Sequence, residues 1–137
     1  MPDVTISIGA FHLTAKFEDQ KAPRTCAALR KLLPLTSQVV HVRWSGEAVW
    51  VPLGDLELGI PPENATSYPA VGDILVYPGG VSETEILIAY GPCQFASKAG
   101  VLAGNHCLTL VSGAEHLRDI GLSALWRGAQ PITIGLR

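Results

Sequence analysis

His41, Arg43 and Trp50 are the side chains of this sequence best equipped for chemistry. They lie in VVHVRWSGEAVW, where two alternating runs flank Ser45-Gly46. A two-residue turn there sets Trp44 opposite Glu47, Arg43 opposite Ala48, Val42 opposite Val49, His41 opposite Trp50 and Val40 opposite Val51. Strand side chains alternate faces, so Val40, Val42, Val49 and Val51 share an apolar face and His41, Arg43 and Trp50 share the other. An imidazole exchanges a proton near neutrality, and a guanidinium holds a carboxylate or carbonyl with paired donors. Trp50 adds an apolar wall. This trio predicts a binding face, with His41 and Arg43 as the candidate catalytic residues.

Two polar stretches can complete a rim around it. The irregular segment GDLELGIPPENATSYPA, residues 54–70, carries Glu63, Asn64 and Tyr68 as hydrogen-bonding groups. A loop of that length in a compact domain is often functional, and Asx-type turns that tie it down are an equal alternative. The Gly/Ala-rich stretch QFASKAGVLAGNHC carries Lys98, Asn105 and His106. Here the alternative is a strand entry eased by Gly104. The possible metal ligands His41, Glu47, Glu63, Glu83, Glu85 and His106 form no HxH or HExxH spacing. The glutamates therefore read as solvated and the histidines as hydrogen-bonded, and neither a metal nor a cofactor is expected. GxSxG and GxGxxG are both absent.

The elements that must position these groups follow from periodicity. Val4, Ile6 and Ile8 alternate with Thr5 and Ser7, and Phe11, Leu13, Ala15 and Phe17 alternate with His12, Thr14 and Lys16. Gly9-Ala10 joins the two runs as a hairpin that pairs Ile8 with Phe11 and Ile6 with Leu13. APRTCAALRKLLP places Pro23 in a first helical turn, Cys26, Leu29 and Leu33 on one stripe, and Pro34 at the stop. GDILVYPGG, TEILIAYG, CLTLVSG and QPITIGLR read as strands, and AEHLRDIG as a short helix. QFASKAGVLAGNHC reads as loop with at most one helical turn. About eight short strands and two helices result, and closing the sheet into a barrel protects its edges.

The 137 residues, 47% hydrophobic and 16% charged against roughly 25% charged in an average domain, fit one domain over 1–137 with some surface covered by a second copy, a homo-oligomer. The net charge of −2, with no basic stripe, argues against nucleic acid. No apolar run is long enough for a bilayer, and MPDVTISIGAF lacks a basic leader, so the expected location is cytoplasmic and off the membrane. Cys26, Cys93 and Cys107 are odd in number and lack CxxC spacing, which predicts free thiols, with Cys26 and Cys107 in core runs.

The strings HVRWSGEAVW, PENATSYPAVGDILVYPGG, FASKAGVLAGNH and LWRGAQPI, in this order of elements, resemble the cyclophilin-like superfamily and, more closely, a short bacterial branch of it of unknown function. The resemblance implies a mainly β fold, a closed antiparallel eight-stranded barrel with two short helices, and a site on its outer face bordered by residues 97–106. In true cyclophilins, prolyl isomerases, an arginine directly after a histidine in a Phe-His-Arg string donates to the prolyl nitrogen. This chain has Val40-His41-Val42-Arg43 and only three Phe, so only Arg43 matches that role.

The function expected is binding of a small polar or carboxylate-bearing molecule or peptide by Arg43, His41 and Trp50, with Glu63, Asn64, Tyr68, Lys98, Asn105 and His106 around them. The alternatives are a prolyl isomerase, an acid–base enzyme in which His41 or His106 meets a glutamate in a cleft, and a bare subunit interface.

Overall fold

The computed structural model describes residues 2–137. Its strands are β1 (Val4–Ile8), β2 (Phe11–Phe17), β3 (Leu35–His41), β4 (Gly46–Pro52), β5 (Ala65–Thr66), β6 (Asp73–Tyr77), β7 (Glu85–Cys93), β8 (Ala96–Ser97), β9 (Gly100–Val101), β10 (Gly104–Ser112) and β11 (Gln130–Leu136). Helix α1 spans Pro23–Leu32, and α2 spans Leu117–Arg127 after a 3₁₀ turn at Ala114–His116. The antiparallel order β2-β1-β11-β3-β4-β7-β6-β10 closes on itself through β10 and β2, making an eight-stranded barrel. The short β5 lengthens the sheet beside the start of β10. This is the mainly β, two-helix architecture expected.

The first hairpin has the expected register, Ile8 with Phe11 and Ile6 with Leu13. Ile6, Ile8, Leu13, Val49, Val51, Ile74, Ile86, Ile88, Ile132 and Ile134 fill the barrel interior. Helix α1 begins at Pro23 and buries Cys26 and Leu29 as its stripe predicts, while Leu33 is half-buried just past its end. Cys26 and Cys107 are buried and unlinked, 3.7 Å apart, and Cys93 is half-buried and free. Among the described residues no helix is long and apolar enough to cross a membrane.

The central hairpin differs from expectation. Val40 lies opposite Trp50 and His41 opposite Val49, one residue away from the predicted register. A two-residue turn of the favoured hairpin type needs positive φ at both central residues, which Ser tolerates poorly. The chain takes a longer turn instead. The Val42 carbonyl accepts from both Ser45 N–H and Gly46 N–H, and only Gly46 has positive φ, 124°. Gly46 also rests on the Pro92 carbonyl, where a Cβ would stand at 2.5 Å. A one-residue slip exchanges the faces of a strand. Val39 and His41 therefore turn toward the barrel interior, and Val40 and Val42 turn out with Trp50. Val40 is 37% exposed.

A second, smaller core consequently lies on the outside of the barrel. Val42, Ala48, Leu75, Tyr77 and Leu87 face outward and are covered by Phe95 and Leu102. The segment 94–103 that carries these two is a β8–β9 ribbon rather than the predicted loop with a helical turn. Phe95 meets Tyr77 edge to face, with centroids 5.7 Å apart.

The second helix runs further than AEHLRDIG indicates, straight through Gly121. A Cβ there would overlap the Tyr90 ring, so glycine lets α2 sit against β7. Gly121→Ala is expected to cost about 2 kcal/mol by overpacking, despite alanine's better helix propensity. Urea denaturation checks this; a gain in stability would show that Tyr90 moves aside freely.

Candidate functional site

The three groups expected on one face are separated by the altered register. His41 sits at the barrel end under α2, with Nε2 2.6 Å from the Tyr90 hydroxyl. Burial, then the charge of Arg43, holds its pKa below the ordinary imidazole value. Its Nδ1 is buried without a partner among the described residues. Arg43 is exposed on the turn and makes no ion pair with a described residue. Only Trp50 faces the outer cluster.

The two polar loops spend most of their groups internally. Glu63 Oε1 accepts from Thr25 N–H at 2.6 Å and from its hydroxyl at 2.8 Å. Asn105, 1% exposed, accepts from Glu63 N–H and donates to Thr25 Oγ1 and the Pro61 carbonyl. Asn64 donates to the His106 carbonyl, and Tyr68 is exposed and accepts from Gln94. His106 Nε2 lies 2.8 Å from Thr109 Oγ1 and 3.4 Å from Asp73 Oδ1. Neither His41 nor His106 meets a glutamate directly, as the acid–base alternative requires. Among the described residues no three His, Cys, Asp or Glu converge on a point that could hold a metal ion.

A cleft of about 460 Å³ opens instead on the outer face, beside the small core. Trp44, Trp50, Val81–Glu83, Glu85 and Ala96–Ala99 line it. Of the residues singled out as binding or catalytic in the sequence, Trp50 and Lys98 are the two that reach it.

Each wall has a local cause. β4 and β7 form the floor, with Trp50 opposite Leu87 and Pro52 opposite Glu85. Tyr77, paired with Glu85 across β6, accepts Val81 N–H at 3.1 Å and so folds the 78–84 loop into one wall. The other wall is the ribbon. Ser45 Oγ donates to the Ala96 carbonyl and accepts from Ala96 N–H, while Trp44 Nε1 donates to the same carbonyl at 3.1 Å. The long turn that shifted the hairpin register is therefore also what anchors the ribbon. Trp44 and Trp50 stand edge to face, with centroids 6.3 Å apart and planes at 78°.

Two polar groups of the lining residues lack partners. The Trp50 indole nitrogen is sealed beneath the lining, out of reach of solvent, and no described residue accepts its hydrogen. Glu85 is 4% exposed, and among the described residues none donates to its carboxyl. Burial, reinforced by the nearby Glu83 charge, pushes the Glu85 pKa up to about 8. At neutral pH the group is therefore mostly a protonated acid, able to donate a hydrogen bond or to take up charge when a cation arrives. The sequence held a signal for it. TEILIAYG is apolar on both strand faces, so its one acid is carried into a buried sheet.

The closed eight-stranded antiparallel barrel with two helices is consistent with the cyclophilin-like class. Within it, residues 4–136 match the family described as "Protein of unknown function (DUF3830)", and the chain belongs to that family. No curated protein matches the sequence. Two solved structures share the fold. One is the structure of McbB in complex with tryptophan, with a TM-score of 0.75 and 17% identity over 96% of this chain and 44% of that one. The other is the solution structure of the hypothetical protein AF2241 from Archaeoglobus fulgidus, with a TM-score of 0.66 and 14% identity over 99% and 95%. The chain thus spans less than half the length of the McbB chain.

Proposed function

We propose that this protein binds a small molecule carrying a flat apolar group and a carboxylate, in the cleft between the central hairpin, the 78–84 loop and the β8–β9 ribbon. The observation that carries this reading is a cleft lined by the crossed indoles of Trp44 and Trp50 together with Lys98. The crossed indoles offer flat apolar contact, and Lys98 offers a counter-charge. The volume of about 460 Å³ lies within the range of small-molecule sites. McbB, of similar fold, was solved with tryptophan, a ligand of this chemical description.

Tryptophan and indole-3-propionate are suitable probes. Trp50→Ala removes one apolar wall, and Lys98→Ala removes the cation. Each is expected to weaken binding of indole-3-propionate about tenfold by calorimetry, a change equivalent to 1.4 kcal/mol. Arg43→Ala, on the exposed turn, is expected to leave the affinity unchanged. The opposite pattern, loss on Arg43→Ala with Trp50→Ala silent, would move the site to the turn.

A further inference from the structure

The Glu85 carboxyl lies on the floor of the cleft with neither a cation nor a hydrogen-bond donor from the described residues. Buried carboxylates in proteins are normally paired, because an ionised carboxylate loses its hydration without compensation. The titratable groups around it are Glu83 on the preceding loop, Tyr77 on β6 and Lys98 on the ribbon wall of the cleft, whereas β4 contributes only Trp50 and Pro52. The Tyr77 hydroxyl is occupied with the backbone N–H groups of Val81 and Ser82. The cleft thus holds two carboxyls and two indoles, with one lysine on the ribbon wall. Indole faces attract cations, and carboxylates pair with ammonium groups.

We propose that the ligand also carries a primary ammonium group, which docks against Glu85 and Glu83 beside the Trp44 and Trp50 rings. This inference rests on the cleft being the binding site and narrows the ligand class to amino acids with a flat apolar side chain. Docking a cation next to Glu85 favours its carboxylate form, so binding at pH 7 expels the proton that Glu85 holds in the empty cleft. Nothing further is consumed: the proton passes from the Glu85 carboxyl to solvent, and the ligand arrives as ammonium and stays so.

The test compares tryptamine, tryptophan and indole-3-propionate by calorimetry at pH 7 in two buffers of different ionisation enthalpy. Tryptamine and tryptophan are expected to bind with release of close to one proton, and indole-3-propionate with none. Tryptamine affinity is expected to rise as the pH goes from 6 to 8, because Glu85 then ionises more readily while the amine stays charged. Glu85→Gln is expected to abolish the proton release and to weaken tryptamine at least tenfold, with much less effect on indole-3-propionate. Circular dichroism confirms that the variant is folded, and the pH profile of the native protein tests the same point without any variant. Binding of indole-3-propionate with no tryptamine binding, or tryptamine binding without proton release, overturns the ammonium site and leaves the cleft reading standing. Failure of all three compounds to bind overturns both.

Discussion

Glu85→Gln is expected to stabilise the ligand-free protein at pH 8 by on the order of 4 kcal/mol, at 1.36 kcal/mol per pKa unit, and to change it little at pH 4. The sign follows from linkage. Burial raises the folded-state pKa to about 8 from an ordinary 4.5. Below the lower value both folded and unfolded chains are protonated, and Glu85 contributes no pH dependence. Between the two values the unfolded chain loses the proton while the folded chain keeps it, so stability falls steadily as the pH rises. Above about 8 both are ionised and the loss is complete. A glutamine of the same shape has no proton to lose, so the difference between variant and native protein should open across this window and then level off. Urea denaturation at pH 4, 6 and 8 measures it. Parallel profiles for the two proteins would mean that Glu85 is hydrated or paired in solution, and the electrostatic account of the cleft would go with it.

That window also bears on function. A binding site that keeps an unpaired acid pays for it in stability, and such local inconsistencies concentrate where a protein meets a ligand. His41 shifts in the other direction. Its pKa is lowered, so its contribution is present above the ordinary imidazole value and is lost as the pH falls through that value. The two windows overlap below the ordinary imidazole value with opposite slopes, so the difference between native protein and Glu85→Gln, in which His41 cancels, isolates the glutamate.

How much of this was legible in the sequence depended on local turn chemistry. Gly9-Ala10 suits a two-residue turn, and the hairpin register followed directly. Pro23 and the Cys26–Leu29 stripe marked α1 for similar reasons. Ser45-Gly46 resembles such a turn only on paper, because Ser resists the backbone angles required. One residue of slip then sent His41 inward to Tyr90 and Val40 outward beside Trp50. The helix α2 outran its sequence pattern because Gly121, normally a stop signal, is there to admit the Tyr90 ring. The cleft itself was the least legible feature. Its floor was visible as Trp50 and its rim as Lys98. Its defining acid, Glu85, read as solvated although the doubly apolar run TEILIAYG marks a buried strand, and nothing local reveals that the ribbon 94–103 folds over the outer face of the barrel.

Asn105→Ala is expected to destabilise the protein by about 3 kcal/mol, counting about 1–3 kcal/mol for each buried polar group left unpaired, and to leave the cleft's ligand affinity intact. Its side chain is buried at the start of β10 and satisfies Glu63 N–H at 3.1 Å, Thr25 Oγ1 at 2.9 Å and the Pro61 carbonyl at 3.0 Å. Those contacts set Glu63 over the first turn of α1. That turn needs outside help, since Ala22 provides no side-chain cap and the turn has no acid of its own. The Glu63 carboxylate takes the Thr25 N–H in place of a cap and complements the positive end of the helix. Alanine at 105 removes the clamp on residues 61–63 and loosens this remote cap at the same time. The effects of Asn105→Ala and Thr25→Val should therefore be less than additive, as expected for members of one network. A residue serving a ligand would behave in the reverse way, with stability little changed and affinity lost. If denaturation shows a loss below about 1 kcal/mol while tryptophan binding weakens, Asn105 belongs to a ligand site and the long loop is more than a strap across the barrel end.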